Sequence, residues 1–425
     1  MQGGNGISMP GGGPGPRGGA GPPMRLSAFV SLKNRNFLYY WVGMLFSFNA
    51  MQMQVVARGW LVYTMTDSPL SLGLVSAGFG VPIVLFSLYG GAVADRVRKR
   101  NLLIFTRTCM ALVSLVITLL IVTDTIEVWH LVVSSVASGA IMSFYGPGRQ
   151  AFVLELVGKD ALLNAIAMNS MAMNICRIAS PALAGVLLKV IGIPGVYWLI
   201  TISGALVVVT LWMIPANEKI TVRPDTPLLK DVIEGLRYVK GNSVILILLL
   251  IGFIPILTAM PYQMLMPVFA RTVFKAGETG LGFLMSAVGI GALCGSLIVA
   301  SLGNFNRKGL IQFLAGGVFG LFLIAFGLSG SLRPAFVFLL FVGGGSSMFM
   351  TLTNTLIMTN TPEELVGRVM SISMMTFGMM PLGTLPAGAF AEAFGAPLTV
   401  MVGGGLLLLF LFAIFITQPK VRHLE

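Results

Sequence analysis

The chain has 425 residues, of which 56% are hydrophobic and 10% charged, where an average soluble protein has about 25% charged residues. A water-solvated globule this apolar could not cover its surface with polar groups, so the composition excludes an ordinary soluble fold and points to lipid as the solvent. The net charge of +12 raises nucleic acid as a partner, a question that the placement of the charges decides.

Residues 1–28 are rich in Gly and Pro and hold no apolar run of the kind a secretory signal needs, so they read as a disordered tail. Apolar stretches of about 20 residues then recur, each long enough to cross a hydrocarbon core of about 30 Å. The predicted spans 1 to 6 cover 37–63, 70–93, 102–122, 128–148, 161–188 and 195–215. Spans 7 to 12 cover 244–270, 279–302, 309–329, 333–359, 365–392 and 396–417. The prediction is an all-α membrane protein with an N-terminal six-helix bundle (29–215), a polar linker (216–243), a C-terminal six-helix bundle (244–418) and a short tail (419–425). Within the linker, 227–240 has the pattern of an amphipathic surface helix.

An even number of spans puts both termini on one side. Counted over the loops, tails and adjoining span ends, 21 Lys and Arg fall on the side of the termini and 4 on the other, with Arg58 and Arg177 left deeper inside spans. Such a bias predicts a multi-pass protein of the cell membrane with both termini in the cytoplasm. It also removes nucleic acid as a partner, because the positive charge is spread over alternate loops and forms no single binding face. Cys109, Cys176 and Cys294 lie in apolar segments and read as packing residues. With two histidines, and no set of nucleophile and base, no metal, cofactor or catalytic residue is expected.

The two bundles echo each other. Arg98-Lys99-Arg100 before span 3 has its counterpart in Arg307-Lys308 before span 9. Spans 5 and 11 both run through Ser/Met-rich sequence to a Pro-Ala pair, Pro181-Ala182 and Pro386-Ala387. Parallel halves that rock about a site in mid-membrane are a transporter design.

The turn after span 2 reads Gly90-Gly91-Ala92-Val93-Ala94-Asp95-Arg96-Val97-Arg98-Lys99-Arg100. It resembles the signature loop of the major facilitator superfamily, with Gly91, Asp95, Arg96, Lys99 and Arg100 matching and Arg98 standing where Gly is usual. Gly146-Pro147-Gly148-Arg149, Asn174, Arg177 and Ser180-Pro181-Ala182-Leu183-Ala184-Gly185 are further similar to the bacterial exporters of drugs, macrolides and enterobactin. The resemblance implies alternating access, a gate made by the signature loop with span 11, and Glu155 as the acid facing the loop's basic residues. It implies tight packing of span 5 at Pro181 and Gly185. It also implies export of an amphipathic small molecule, driven by protons, from a chain expected to act as a monomer among membrane lipids.

Polar groups inside spans are the candidates for a substrate cavity. These are Asn49, Gln52 and Arg58 on span 1, Ser170, Asn174 and Arg177 on span 5, Tyr262 and Gln263 on span 7, and Asn354 on span 10. Ser170, Asn174 and Arg177 follow i, i+4, i+7 and so share one helix face. Hydrogen bonding between helices is the competing explanation for the amides. All 15 carboxylates fall near span ends or in polar segments. Proton coupling therefore rests on the resemblance, with Glu392, near the end of span 11, as its candidate. Two readings stand beside the exporter: a lysophospholipid or other lipid transporter of the same fold, and a membrane sensor or scaffold that transports nothing.

Overall fold

In a computed structural model, residues 30–215, 228–302, 307–422 and 424 are described. The predicted tail 1–28 and the first part of the linker, 216–227, lie outside them. The described residues are helical nearly throughout. Ten of the helices are long and apolar enough to cross a membrane, by length and composition. One of these, Ala161–Trp212, is 52 residues long and carries predicted spans 5 and 6, while Arg35–Thr66, which carries span 1, is not among the ten.

The local sequence explains the ends of the helices. Asn34 precedes the first helix and accepts from the backbone N–H groups of Asn36 and Phe37 at 3.0 and 3.3 Å. Asn242 does the same before span 7, accepting from Val244 and Ile245 at 3.1 and 3.3 Å. Each satisfies donors that a helix N-terminus leaves without an intrahelical partner. The same cap at the head of both bundles adds to the likeness between them. At Gly158 and Gly192 the backbone turns through φ 69°, a left-handed geometry that glycine adopts without a Cβ penalty. These turns separate span 4 from span 5 and span 5 from span 6.

Two predicted spans are broken where one continuous helix was expected. Span 7 is built from Ser243–Thr258, Tyr262–Val268 and a π-helical turn, Phe269–Val273. Span 11 is built from Glu363–Gly378 and Pro381–Phe394. Pro255, Pro261 and Pro267 interrupt the first and Pro381 opens the second half of the other, since proline donates no backbone hydrogen bond and crowds the preceding turn. The linker carries the helix Leu228–Gly241, close to the predicted 227–240. The predicted C-terminal tail holds a short turn, Pro419–Arg422, and folds back so that the Gly309 N–H donates to the Leu424 carbonyl at 3.1 Å.

Contacts between helices within a half are apolar packing stitched by few polar links. Thr118 on span 3 meets Thr201 on span 6 at 2.9 Å, and Gln312 on span 9 donates to Thr353 on span 10 at 2.6 Å. Links of this kind in membrane proteins contribute about 0.6 kcal/mol on average. Thr118→Val should therefore lower the stability of the purified protein by well under about 1 kcal/mol. That is a fall of a few degrees at most in a thermal unfolding trace, with transport unchanged.

Candidate functional site

The two halves meet on the side of the membrane away from the chain ends. Asp67 closes span 1 in a left-handed conformation (φ 50°), and its carboxylate receives the Arg271 guanidinium of span 7 at 2.6 Å. Arg271 also donates to the Tyr63 carbonyl at 3.0 Å, and the Tyr63 hydroxyl pairs with Thr272 at 2.7 Å. Across the other seam, Glu392 of span 11 accepts from the Ser68 hydroxyl at 2.8 Å and from the Leu70 N–H at 3.2 Å. That carboxylate thus sits on the N-terminus of span 2, where the free N–H groups and the helix dipole favour an anion.

Beneath these latches the helices touch backbone to backbone. A Cβ added at Gly185 would lie 2.6 Å from the Glu278 carbonyl oxygen and 2.9 Å from the Gly282 Cα. The carbonyl of Pro181 packs on Gly282 in return, at 2.5 Å from where its Cβ would be. Further in, the Ser286 hydroxyl donates to the Ile178 carbonyl at 2.7 Å, and Gly289 rests on the Arg177 carbonyl. Gly282, Ser286 and Gly289 lie at i, i+4 and i+7, one small-residue face of span 8 turned to span 5. Pro181 and Gly185 thus stand on the seam between the halves.

Toward the chain ends, several contacts among the described residues tie each half to itself or to the linker helix. Asn34 donates to the Leu156 carbonyl at 3.0 Å, Arg100 to the Trp212 carbonyl at 2.9 Å, and Arg368 pairs with Glu234 of the linker helix at 3.0 Å. Among the described residues, the contacts that join the halves thus lie on the far side and along the seam beneath it. Within the N-terminal half lies a cavity of about 420 Å³ between spans 1, 4 and 5, with Tyr40, Arg149, Gln150, Asn169 and Ser170 among its lining groups.

The predicted cavity residues divide. Ser170 lines the cavity, and Asn174 and Arg177 continue its helix face toward the closed end. Asn49, Gln52, Asn174 and Asn354 are half-buried and their side chains form no hydrogen bond among the described residues. Gln263 reaches the Met260 sulfur at 3.9 Å and lies beside the Tyr262 hydroxyl. Arg58 departs from expectation. It turns inside the N-terminal bundle and donates to Ser135 of span 4 at 2.9 Å, with Tyr197 of span 6 near its charge. Tyr262 departs too, being buried edge-on against Phe319 with its hydroxyl unpartnered. Arg177 lies within electrostatic reach of that hydroxyl from the opposite half.

The signature loop spans the end of Pro69–Arg96 and the start of Lys99–Val122. Lys99 is buried there and bears on Glu155, to which it forms no ion pair among the described residues. Arg96 is exposed, and the side chain of Asp95 lies outside what is described. A Cβ on Gly91 would meet open space, whereas one on Gly90 would run into the Ser143 carbonyl of span 4. In this state, close packing of the loop's helix falls on Gly90.

The sequence reading missed two cations. Arg107 and Arg149 stand near span ends and read as topology anchors, yet both bear on the Tyr40 hydroxyl inside the N-terminal half. Arg107 lies 3.8 Å from the centre of the Tyr145 ring, and Arg149 lies 5.8 Å from that of Phe48. The available signal was the position of Arg107, five residues inside a predicted span.

Broken helices in two halves, latched together at one side, make the architecture of a membrane transporter. Residues 26–425 match a family described as transmembrane secretion effector, and the chain belongs to that family of the major facilitator superfamily. It is 26% identical to the staphyloferrin A transporter of Staphylococcus aureus over 374 residues, 87% of this chain and 90% of that one. It is also 26% identical to the enterobactin exporter EntS of Escherichia coli over 314 residues, 72% of this chain and 73% of the exporter. Among solved structures, the nucleoside transporter NupG superposes with a TM-score of 0.73 at 12% identity, over 90% of this chain and 99% of that one. The D-xylose–proton symporter superposes at 0.70 and 13%, over 92% and 99%. These two likenesses concern the fold. The protein is a transporter and not an enzyme.

Proposed function

We propose that the protein exports an amphipathic small molecule of the siderophore type from the cytoplasm by alternating access, in exchange for protons. The observation that carries this reading is the far-side closure made by Asp67–Arg271 and Glu392–Ser68 between the two halves. The 21 to 4 division of Lys and Arg supports a cytoplasmic position for the opposite side, so a protein closed on the far side is one that loads from the compartment an exporter empties. The two relatives, one named a staphyloferrin A transporter and the other an enterobactin exporter, support a siderophore as cargo. Proton coupling rests on the superfamily resemblance, and a monomer is sufficient because the far-side closure is formed within one chain.

The test is uptake into inside-out membrane vesicles, whose outer surface is the cytoplasmic one. Vesicles containing the protein and energised by an inward-acid proton gradient should accumulate enterobactin or staphyloferrin A several-fold over vesicles without it. A protonophore should abolish the difference, and Asp95→Asn should reduce it strongly at equal protein level. Failure of both siderophores overturns the cargo, and accumulation indifferent to the protonophore overturns proton exchange. A lipid carrier is the second reading, favoured by an apolar groove of about 550 Å³ along spans 2, 3 and 4, between Val97, Phe105 and Phe144. Protein-dependent lysophospholipid movement in proteoliposomes, without siderophore flux, would put it first.

A further inference from the structure

The cavity within the N-terminal half is polar in an unbalanced way. Tyr40, Arg149, Gln150, Asn169 and Ser170 line it, and no carboxylate among the described residues does. Behind Tyr40 stands Arg107, its Nε buried and without an acceptor. The Tyr40 hydroxyl and Asn169 Oδ1 are also buried and lie near one another without a well-formed hydrogen bond. Neither Arg107 nor Arg149 forms a hydrogen bond or an ion pair among the described residues.

An arginine that anchors topology reaches out to headgroups and water. Arg107 does the opposite, its guanidinium carbon over the Tyr145 ring at 3.8 Å from the centre and its Nε enclosed. A guanidinium stays ionised under all ordinary conditions, and its N–H donors lie in the plane of the group. A ring on one face therefore holds the cation in place without using those donors. Two partly buried cations at one buried phenol, with no ion-paired carboxylate among the described residues, leave guanidinium donors that an anion can complete. An oxyanion is the group that guanidinium donors fit, two bonds at a time.

We propose that Arg149 on the cavity lining, backed by Arg107 behind Tyr40 and with Tyr40 and Asn169 as neutral hydrogen-bonding partners, forms an anion subsite that takes a carboxylate of the transported molecule. The inference deepens the exporter reading and rests on it for the role of the ligand as cargo. The described lining of the cavity holds one cation, Arg149, with amides and no acid: a carboxylate in the wall would compete with the cargo for the arginines. The volume of about 420 Å³ suits a compact polycarboxylate or one acidic arm of a larger molecule.

The experiment is equilibrium binding to the purified full-length protein in lipid nanodiscs. The probes are citrate, its trimethyl ester and inorganic phosphate. Citrate should bind saturably and at least about 10-fold more tightly than the ester, which has the same skeleton without charge, and than phosphate. Arg149→Gln and Arg107→Gln should each weaken citrate about 10-fold or more and leave the ester unchanged. Tyr40→Phe, which keeps the ring and both cations, should weaken it by a smaller factor, and Lys189→Gln, on the far side, should not weaken it at all. Equal affinity for citrate and ester overturns the subsite, as does citrate binding that is indifferent to both arginine variants. Phosphate binding as tight as citrate overturns the assignment to carboxylate. Should the arginine variants fail to fold, the citrate-to-ester ratio of the wild type and of Tyr40→Phe decides alone. Siderophore uptake into vesicles separates the two claims. Uptake without citrate selectivity overturns the subsite only, and citrate selectivity without uptake overturns the exporter reading only.

Discussion

Gly185→Leu should reduce transport more than about 10-fold at normal expression, while Gly317→Leu leaves it unchanged. The two glycines differ in surroundings alone. Gly185 faces the backbone of Glu278 and Gly282 at 2.6–2.9 Å from its absent Cβ, and Gly317 faces nothing within 4 Å. A side chain at Gly185 meets main-chain atoms on span 8 that cannot turn aside, so the helices must part. Overpacking a well-fitted contact costs about 1–3 kcal/mol. Here the cost is paid only in the state where the far side is closed, because that side opens by separating these same helices. A bias of about 1.4 kcal/mol shifts a two-state equilibrium tenfold. The variant should therefore dwell with its far side open and seldom load from the cytoplasm. Flux in proteoliposomes measures the loss. Labelling of a cysteine placed at Ala182, beside the seam, by a reagent supplied on the far side should rise with it. Transport that tolerates leucine at Gly185 would mean that spans 5 and 8 do not govern closure.

Much of this arrangement was legible in the sequence, and its gaps have a common cause. A lipid-spanning segment must satisfy its backbone internally, so an apolar run of about 20 residues fixes the existence and order of a helix. That logic gave the spans, the linker helix and, through the likeness of the two halves, the two-bundle plan. It does not give the azimuth of a side chain. A span apolar on every face has no polar stripe to show which way it turns, so Arg58 could be placed at a depth but not in a direction, and it points into its own bundle. The same blindness hid the convergence of Arg107 and Arg149 on Tyr40, which come from three different helices. The breaks at Met260–Pro261 and Met380–Pro381 were ambiguous for another reason: membrane helices tolerate proline when neighbours satisfy the freed carbonyls. Glu392 was singled out for its position near the end of a span. Its bond to the head of span 2 required knowing which far-side ends of the two halves meet.

Tethering residues 68 and 392 should arrest transport outright, although removing their natural bond should cost little. Ser68→Cys with Glu392→Cys, in a chain whose Cys109, Cys176 and Cys294 are replaced by serine, offers a short bifunctional thiol reagent two partners whose native side chains meet at 2.8 Å. The native latch is exposed. An exposed charged contact of this kind contributes about 0–1 kcal/mol, and Asp67–Arg271 on the other seam is of the same order, with Asp67 largely exposed. Latches that weak hold a register without trapping the protein, as a cycle that must open and close on each turn requires. Glu392→Gln should accordingly change flux by no more than about 3-fold, since the amide oxygen can still accept from Ser68 and Leu70. A covalent tether differs in kind, because no thermal fluctuation breaks it and the far side then never opens. The expected result is siderophore uptake reduced to background in tethered vesicles, restored when a reducible tether is cleaved, and unchanged in either single-cysteine variant treated alike. Full transport with the tether in place would show that cargo leaves by a path other than the seam between spans 2 and 11. It would remove the far-side closure from the mechanism and, with it, the reason for placing exit there.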